Sequence, residues 1–130
     1  MKVRLIGLFW PPTLRMLPML LVMATIFFLS NQPGDSLDLP DIPDLDKFLH
    51  ASVYAGLAAT TIFAIAPEKR NPRPLQVALV VVLFCLLYGI SDELHQVFVP
   101  GRTPDILDLA ADTTGAALVA VTWLWSTGTR

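Results

Sequence analysis

The stretch SDELHQVFVPGRTPDILDLAADTTG, residues 91–115, places acids, an arginine, a histidine and amides between two long apolar segments. The flanking segments, residues 75–90 and 106–125, have a composition suited to lipid and decide the fold. Ionisable groups at such a boundary are costly to remove from water, so proteins usually keep them there for binding, proton handling or catalysis. We therefore expect the function to lie in this polar stretch.

The apolar character extends along the whole chain. Of its 130 residues, 54% are hydrophobic and 15% are charged, whereas ordinary soluble domains have about 45–50% apolar and about 25% charged residues. Four apolar runs, residues 14–29, 48–66, 75–90 and 106–125, approach the ~20 residues that a helix needs to cross a bilayer. Lipid offers the backbone no hydrogen-bond partners, so each run should be helical. The sequence predicts an all-α integral membrane protein, a four-transmembrane-helix bundle forming a single domain over residues 1–130.

Basic and acidic residues separate to opposite sides of these four helices. Seven of the nine basic residues flank the first helix, the second connection and the C-terminus: Lys2, Arg4, Arg15, Lys69, Arg70, Arg73 and Arg130. Ten of the eleven acids lie in or beside the first and third connections. By the positive-inside rule, both termini should be cytoplasmic, in a multi-pass protein of the cell inner (cytoplasmic) membrane. Trp10, Trp123 and Trp125 should then lie at the cytoplasmic interface.

Other classes fit the sequence poorly. The first helix follows basic residues as a signal peptide does, but Arg15 interrupts that layout and no small-residue cleavage site follows, so we predict a retained helix. Cys85 is the only cysteine, which excludes an intrachain disulfide and favours a buried apolar role. The net charge of −2 and the scattered bases argue against a nucleic-acid partner.

Four acids, Asp35, Asp38, Asp41 and Asp44, are spaced by three in the first outer connection and alternate with prolines. A polyproline II helix would align their carboxylates along one edge, where they could bind a cation. Proline and acids together disfavour compact structure, so a solvated linker is the favoured interpretation.

The second predicted helix opens with a polar stripe. Asp46, His50 and Tyr54 follow at i, i+4 and i+8, and Lys47 precedes His50 by three, so all four share one face near the outer surface. In a purely structural alternative, Lys47 and Tyr54 anchor at the interface while His50 hydrogen-bonds a neighbouring helix. Because its face is shared with other polar groups, we favour a functional role for His50.

The third predicted helix ends in a second polar group. Gln96 can meet Asp92 at i,i+4 or Glu93 at i,i+3. Adjacent residues diverge by about 100° on a helix, so only one of the two acids should point fully into the bundle, and we favour Glu93. His95 is expected to be interfacial.

The fourth helix follows the turn at residues 100–102 and carries Asp105, Asp108, Asp112 and Gly115 on one face. Asp105 could simply offset the positive end of the helix dipole. Asp108 and Asp112 lie deeper, where that explanation does not apply. Gly115 on the same face predicts a close approach between helices.

Three segments together resemble the VanZ-like family: SNQPG at residues 30–34, DKFLHASVYAGL at 46–57, and the stretch at 91–115. The shared motifs are DK-x-x-H, DE-x-x-Q-x-F-x-P-G-R and a following D-x-x-D helix. Carried over by position, they select Asp46, Lys47, His50, Tyr54, Asp92, Glu93, Gln96, Arg102, Asp108, Asp112 and Gly115. The chain departs from the family pattern at Asp112, usually asparagine, at Ala51, commonly aromatic, and at Val119, often glycine. An acid at Asp112 must pair with a base or stay protonated.

The family takes its name from a protein associated with teicoplanin resistance, which implies a phenotype but no defined reaction. The first hypothesis is an outward-facing polar pocket that binds an envelope-related amphiphile or a glycopeptide or lipopeptide antibiotic moiety, contributing to antibiotic resistance or envelope maintenance. Arg102 and Lys47 would bind a phosphate or carboxylate, and Glu93, Asp108 and Asp112 an amine or hydroxyls. The expected partners are membrane lipids, a lipid-linked envelope precursor or a lipoglycopeptide.

A membrane-embedded hydrolase or transferase acting on a lipid-linked substrate is the alternative. In it, His50 or Glu93 is the general base, Arg102 stabilises developing negative charge, and Asp108 completes the candidate catalytic set. A metal on His50, Glu93 and Asp108 would have no diagnostic ligand spacing, so no metal or other cofactor is expected. A proton- or cation-coupled transporter is a weaker third hypothesis, because the cytoplasmic half of the helices is nearly uniformly apolar.

Overall fold

The computed structural model describes residues 10–34, 36 and 38–128, and over these residues the chain is helical, with no strand. The helices are α1 (Pro12–Arg15), α2 (Leu17–Ser30), α3 (Leu45–Ala64), α4 (Pro67–Arg70), α5 (Pro74–Gln96) and α6 (Ile106–Gly128). The prediction of an all-α chain is thus confirmed. Lys2, Arg4, Asp35 and Arg130 lie outside the described residues.

Three helical segments are long and apolar enough to cross a membrane: Pro12–Ser30, Pro74–Gln96 and Ile106–Gly128. Only 17–22% of their apolar windows is buried inside the protein, so most of their apolar side chains face outward, as they do when lipid is the solvent. The 20-residue α3 is of similar length but opens with polar side chains, and it is not among the three.

The first predicted helix is divided near its start. Met16 separates α1 from α2, and both begin with a proline in their first turn, where the missing N–H costs no hydrogen bond. The helix α5 continues to Gln96, so the first six residues of the polar stretch, residues 91–96, are helical. Between α2 and α3, Asp38, Asp41 and Asp44 are solvent-exposed, which agrees with the linker interpretation.

The helices α3 and α6 form the most extensive interface and run in the same direction, while α2 and α5 run the opposite way. Gly115 permits the contact of α3 with α6, because a Cβ built on it would lie 2.0 Å from the backbone oxygen of Ala51. The predicted close approach at Gly115 is confirmed. This approach sets the register between the polar residues of α3 and α6.

Apolar packing fills the middle of the molecule. Leu57 of α3, Val81 and Cys85 of α5, and Ala116 of α6 are all completely buried. Cys85 therefore has the predicted packing role. This apolar layer adjoins the polar side chains at the start of α3, the end of α5 and the start of α6.

At the carboxyl end of α3, backbone carbonyls are capped by two arginines. Arg15 is buried, donates to the oxygen of Phe63 at 3.2 Å, and lies over the Phe63 ring. Arg70 donates to the oxygen of Ile62 at 2.8 Å. Cations stabilise the negative end of a helix dipole. Arg15 and Arg70, two of the basic residues from which the membrane orientation was predicted, therefore also stabilise the end of α3. Trp10 packs edge-on against Phe63 at this end.

Candidate functional site

The first turns of α3, the last turns of α5 and the start of α6 meet at one end of the molecule. A connected polar network of six side chains forms there. They come from α3, from α6 and from Asp105, which directly precedes α6: Asp46, Lys47, His50, Asp105, Asp108 and Asp112. The network arises because the polar stripe of α3 and the acidic face of α6 are brought into register at Gly115.

Lys47 holds the outer part of the network. Its Nζ donates to Asp46 at 2.9 Å, Asp105 at 2.8 Å and Asp108 at 2.5 Å. The Lys47 ammonium, through its hydrogen bond, holds the pKa of Asp105 below its ordinary value. All three N–H donors of the ammonium are used, so the prediction that Lys47 binds a ligand phosphate does not fit the geometry.

His50 holds the inner part. Its Nδ1 lies 2.9 Å from Asp112 Oδ1, and its Nε2 lies 3.6 Å from Asp108. Asp112 is only 1% exposed. Asp112 therefore has a base as its partner, one of the two states that the sequence allowed. Both ring nitrogens of His50 thus face carboxylates of α6, and the hydrogen bond to Asp112 fixes the orientation of the ring.

Tyr54 extends the polar stripe into the interior. It is 1% exposed, so the alternative of an interfacial anchor was wrong for this residue. Within the described part of the chain, its buried hydroxyl has no hydrogen-bond partner, nor does the second oxygen of Asp112. Both side chains border Gly89 of α5, where a Cβ would lie 3.2 Å from Asp112 Oδ2 and 3.5 Å from Tyr54 Cε1.

The end of α5 differs from the prediction, since Asp92 and Glu93 are both buried, each 8% exposed. Asp92 lies on the side of α5 that faces Ser30 of α2. Glu93 accepts a hydrogen bond from the backbone N–H of Asp105 at 2.9 Å. Because α5 contacts α2 on one side and α6 on the other, two directions that diverge by about 100° are both interior. The expectation of a single inward acid was wrong.

The neighbouring amide also has a different partner from the predicted one. Gln96 is buried and its Nε2 donates to Ser30 Oγ at 3.1 Å. An i,i+3 or i,i+4 pair with Asp92 or Glu93 is replaced by this contact between helices. His95, expected to be interfacial, is half-buried at the edge of the molecule, 3.1 Å from the side chain of Asn31.

Arg102 connects the turn after α5 to the end of α2. Its Nε donates to the oxygen of Gln32 and its Nη2 to that of Leu29, both at 3.0 Å. The turn after α2, which contains Gly34, lies against the turn after α5, which contains Gly101. A Cβ built on Gly34 would lie only 1.9 Å from the backbone oxygen of Gly101. Arg102 thus caps α2 and belongs to a different part of the site from Lys47.

A cavity of about 220 Å³ lies between α2, α3 and α5. Its polar lining consists of Ser30, Asp46, His50, Tyr54, Asp92, Gln96 and Arg102, and its apolar lining of Ile26, Leu29, Leu39, Leu49 and Val53. Six residues that the sequence singled out therefore line it. Lys47, Glu93, Asp108 and Asp112 are not among the lining residues and lie on the α6 side.

Across the described residues, acids, histidines and the cysteine form no group of three or more arranged to hold a metal ion. Three carboxylates do converge, but the Lys47 ammonium occupies the position between them. Ser30 is the lining residue whose importance the sequence did not reveal. Its presence in the SNQPG motif was the available signal.

Three apolar helices and a polar site at their ends define a helical membrane protein. The family model described as VanZ/LLP1 matches residues 16–127, and the chain belongs to that family. The match covers the polar network, the cavity and the two contacting turns. No curated protein and no solved structure matches the chain.

Proposed function

We propose that the protein crosses the inner membrane four times, with both termini in the cytoplasm, and that its cavity opens toward the outer leaflet. The three apolar segments and the 20-residue α3 supply the spans. Arg15, Lys69, Arg70 and Arg73 lie at the end of the molecule opposite the acidic network, which supports this orientation.

In this proposal, the cavity binds the polar group of an envelope-related amphiphile. The main evidence is that the cavity lining combines polar and apolar side chains. Asp92, Gln96 and Arg102 are among the polar residues, and Leu29 and Val53 are among the apolar ones. A molecule with one polar and one hydrocarbon end matches such a surface. The volume of about 220 Å³ is below the usual 300–1,000 Å³ of small-molecule pockets, so the polar group alone enters while the tail stays in lipid.

Binding of this kind would contribute to antibiotic resistance or envelope maintenance by withholding or presenting an amphiphile at the outer leaflet. A lipid-linked envelope precursor and the lipid-like part of a glycopeptide or lipopeptide antibiotic both have the required chemistry. The position of the cavity between α2 and α3, helices with many exposed apolar side chains, supports entry from the bilayer.

The two adjacent acids of α5 provide the test. Asp92 lines the cavity and Glu93 does not, although both are buried to the same extent. Protein extracted with its native lipids is compared by native mass spectrometry as wild type, Asp92→Asn and Glu93→Gln. We expect Asp92→Asn to lose most of a retained amphiphile and Glu93→Gln to keep it. Equal retention in the three proteins, or none in the wild type, would contradict the proposal.

A membrane-embedded hydrolase or transferase is the second candidate, favoured by the pair of His50 with buried Asp112. His50 lines the cavity, which places its imidazole beside a bound lipid-linked substrate, and an imidazole held by a carboxylate is suited to act as a general base. His95, the only other histidine, lies apart from this pair and serves as the control. Turnover of a lipid-linked substrate that is lost in His50→Gln and kept in His95→Gln would favour catalysis.

A further inference from the structure

We propose that the polar group held in the cavity carries a primary ammonium, as in a phosphoethanolamine headgroup. This inference rests on the proposed function and names the chemical class of its ligand. It follows from the charge balance of the site, from the hydrogen-bonding atoms that line the cavity, and from the position of Arg102.

Acids outnumber permanent cations in and beside the cavity. Six carboxyl groups lie there: Asp46, Asp92, Glu93, Asp105, Asp108 and Asp112. Of the two permanent cations, Lys47 is shared among three of the acids, and Arg102 donates to two backbone carbonyls. Carboxylates that lack a nearby cation are costly to bury, so a positively charged ligand group fits this site better than an anion alone.

The lining places hydrogen-bond acceptors where an ammonium needs them. Asp92 is 8% exposed and faces the cavity from α5. Tyr54 borders it from α3. A primary ammonium has three N–H donors, and the Asp92 carboxylate in the cavity wall can accept from it.

Arg102 provides the complementary charge for a zwitterion. Its two described hydrogen bonds use Nε and Nη2, and Arg102 lines the same cavity as Asp92. A phosphate linked to the ammonium by a short chain would meet the guanidinium. A quaternary ammonium fits less well, since it has no N–H to donate and is usually bound by several aromatic faces. Tyr54 is the only residue with a phenol or phenyl ring among those that line the cavity.

Three lipids with identical dioleoyl chains test the inference. Delipidated full-length protein is incubated with equimolar phosphatidylethanolamine, phosphatidylcholine and phosphatidylglycerol, and bound lipid is quantified by native mass spectrometry. We expect phosphatidylethanolamine to exceed phosphatidylcholine by about tenfold, which corresponds to the loss of one charge-assisted hydrogen bond. Asp92→Asn should bring this ratio close to one, whereas His95→Gln, which keeps all six carboxyl groups and lies outside the cavity lining, should leave it unchanged.

The outcomes separate this inference from the proposed function. Equal binding of the ethanolamine and choline lipids by the wild type, or stronger binding of phosphatidylglycerol, would overturn the ammonium assignment and leave the amphiphile cavity standing. Binding of none of the three lipids would overturn the proposed function and this inference with it. The comparison of the three lipids on the wild type needs no variant, so the ammonium assignment is tested even if Asp92→Asn does not fold.

Discussion

A Gly115→Ala substitution should separate α3 from α6 and disrupt the polar network. A Cβ at this position would lie 2.0 Å from the Ala51 oxygen and 2.9 Å from its Cα. Ordinary contact begins near 3.4 Å, so the backbones must move apart by about 1.4 Å. The obstacle is backbone, which cannot rotate away as a side chain can. Overpacking of this kind typically costs about 1–3 kcal/mol.

The same displacement acts on the hydrogen bonds next to it. The contact of His50 with Asp112 is 2.9 Å long, and a movement of about 1.4 Å takes it beyond hydrogen-bonding distance. We expect a lower unfolding temperature in detergent, followed by circular dichroism, and faster maleimide labelling of Cys85, which is completely buried in the native protein.

Gly56→Ala is the matched control for this substitution. Gly56 lies in α3, and a Cβ there meets nothing within 4 Å. Alanine is favoured over glycine within helices by about 1 kcal/mol, so this variant should be as stable as the wild type or more stable. If Gly115→Ala and Gly56→Ala unfolded at the same temperature, the close contact between α3 and α6 would be refuted.

Three further substitutions address the rest of the site. Because Lys47 lowers the pKa of Asp105, their contribution to stability is present above the ordinary carboxyl pKa and is lost as pH falls toward the lowered value. Lys47→Met should therefore flatten the decline in unfolding temperature between about pH 5 and pH 3; an unchanged slope would contradict the pairing. Asp112→Asn should stay folded, because an amide oxygen still accepts a hydrogen bond from His50. Asp112→Leu should lower the free energy of unfolding, measured by denaturant titration, by about 1–3 kcal/mol. Equal stability of the two variants would contradict the hydrogen bond between His50 and Asp112. Gly34→Ala should separate the two contacting turns and lower the retention of bound amphiphile in native mass spectrometry; unchanged retention would argue against their role in shaping the cavity.

Periodicity and hydropathy were sufficient to predict that the chain is helical and which residues share the face of α6. A run of apolar residues must be helical in lipid, and spacing by three and four places Asp108, Asp112 and Gly115 on one face. Glycine on that face also predicted the close approach that places His50 beside Asp112. These features depend on local geometry, which the sequence contains directly.

The arrangement of neighbours around each helix was not contained in that pattern. Whether Asp92 is interior depends on α2 lying on the far side of α5, and Gln96 finds Ser30 only because those two helices end together. Arg102 was predicted to bind a ligand phosphate or carboxylate through its charge, yet its hydrogen-bond partners are backbone carbonyls at the end of α2. Buried Arg15 was likewise interpreted as a marker of orientation, because nothing local reveals that it caps α3.

The most direct test of the central claim is a contact measured between a bound amphiphile and the cavity. With 130 residues, the protein suits solution NMR in lipid nanodiscs, and Gln96, 3% exposed, lines the cavity. We predict nuclear Overhauser effects between headgroup protons of the amphiphile and the side-chain amide of Gln96, which disappear in Asp92→Asn. Effects to acyl-chain protons alone, or to no lipid proton, would contradict the account.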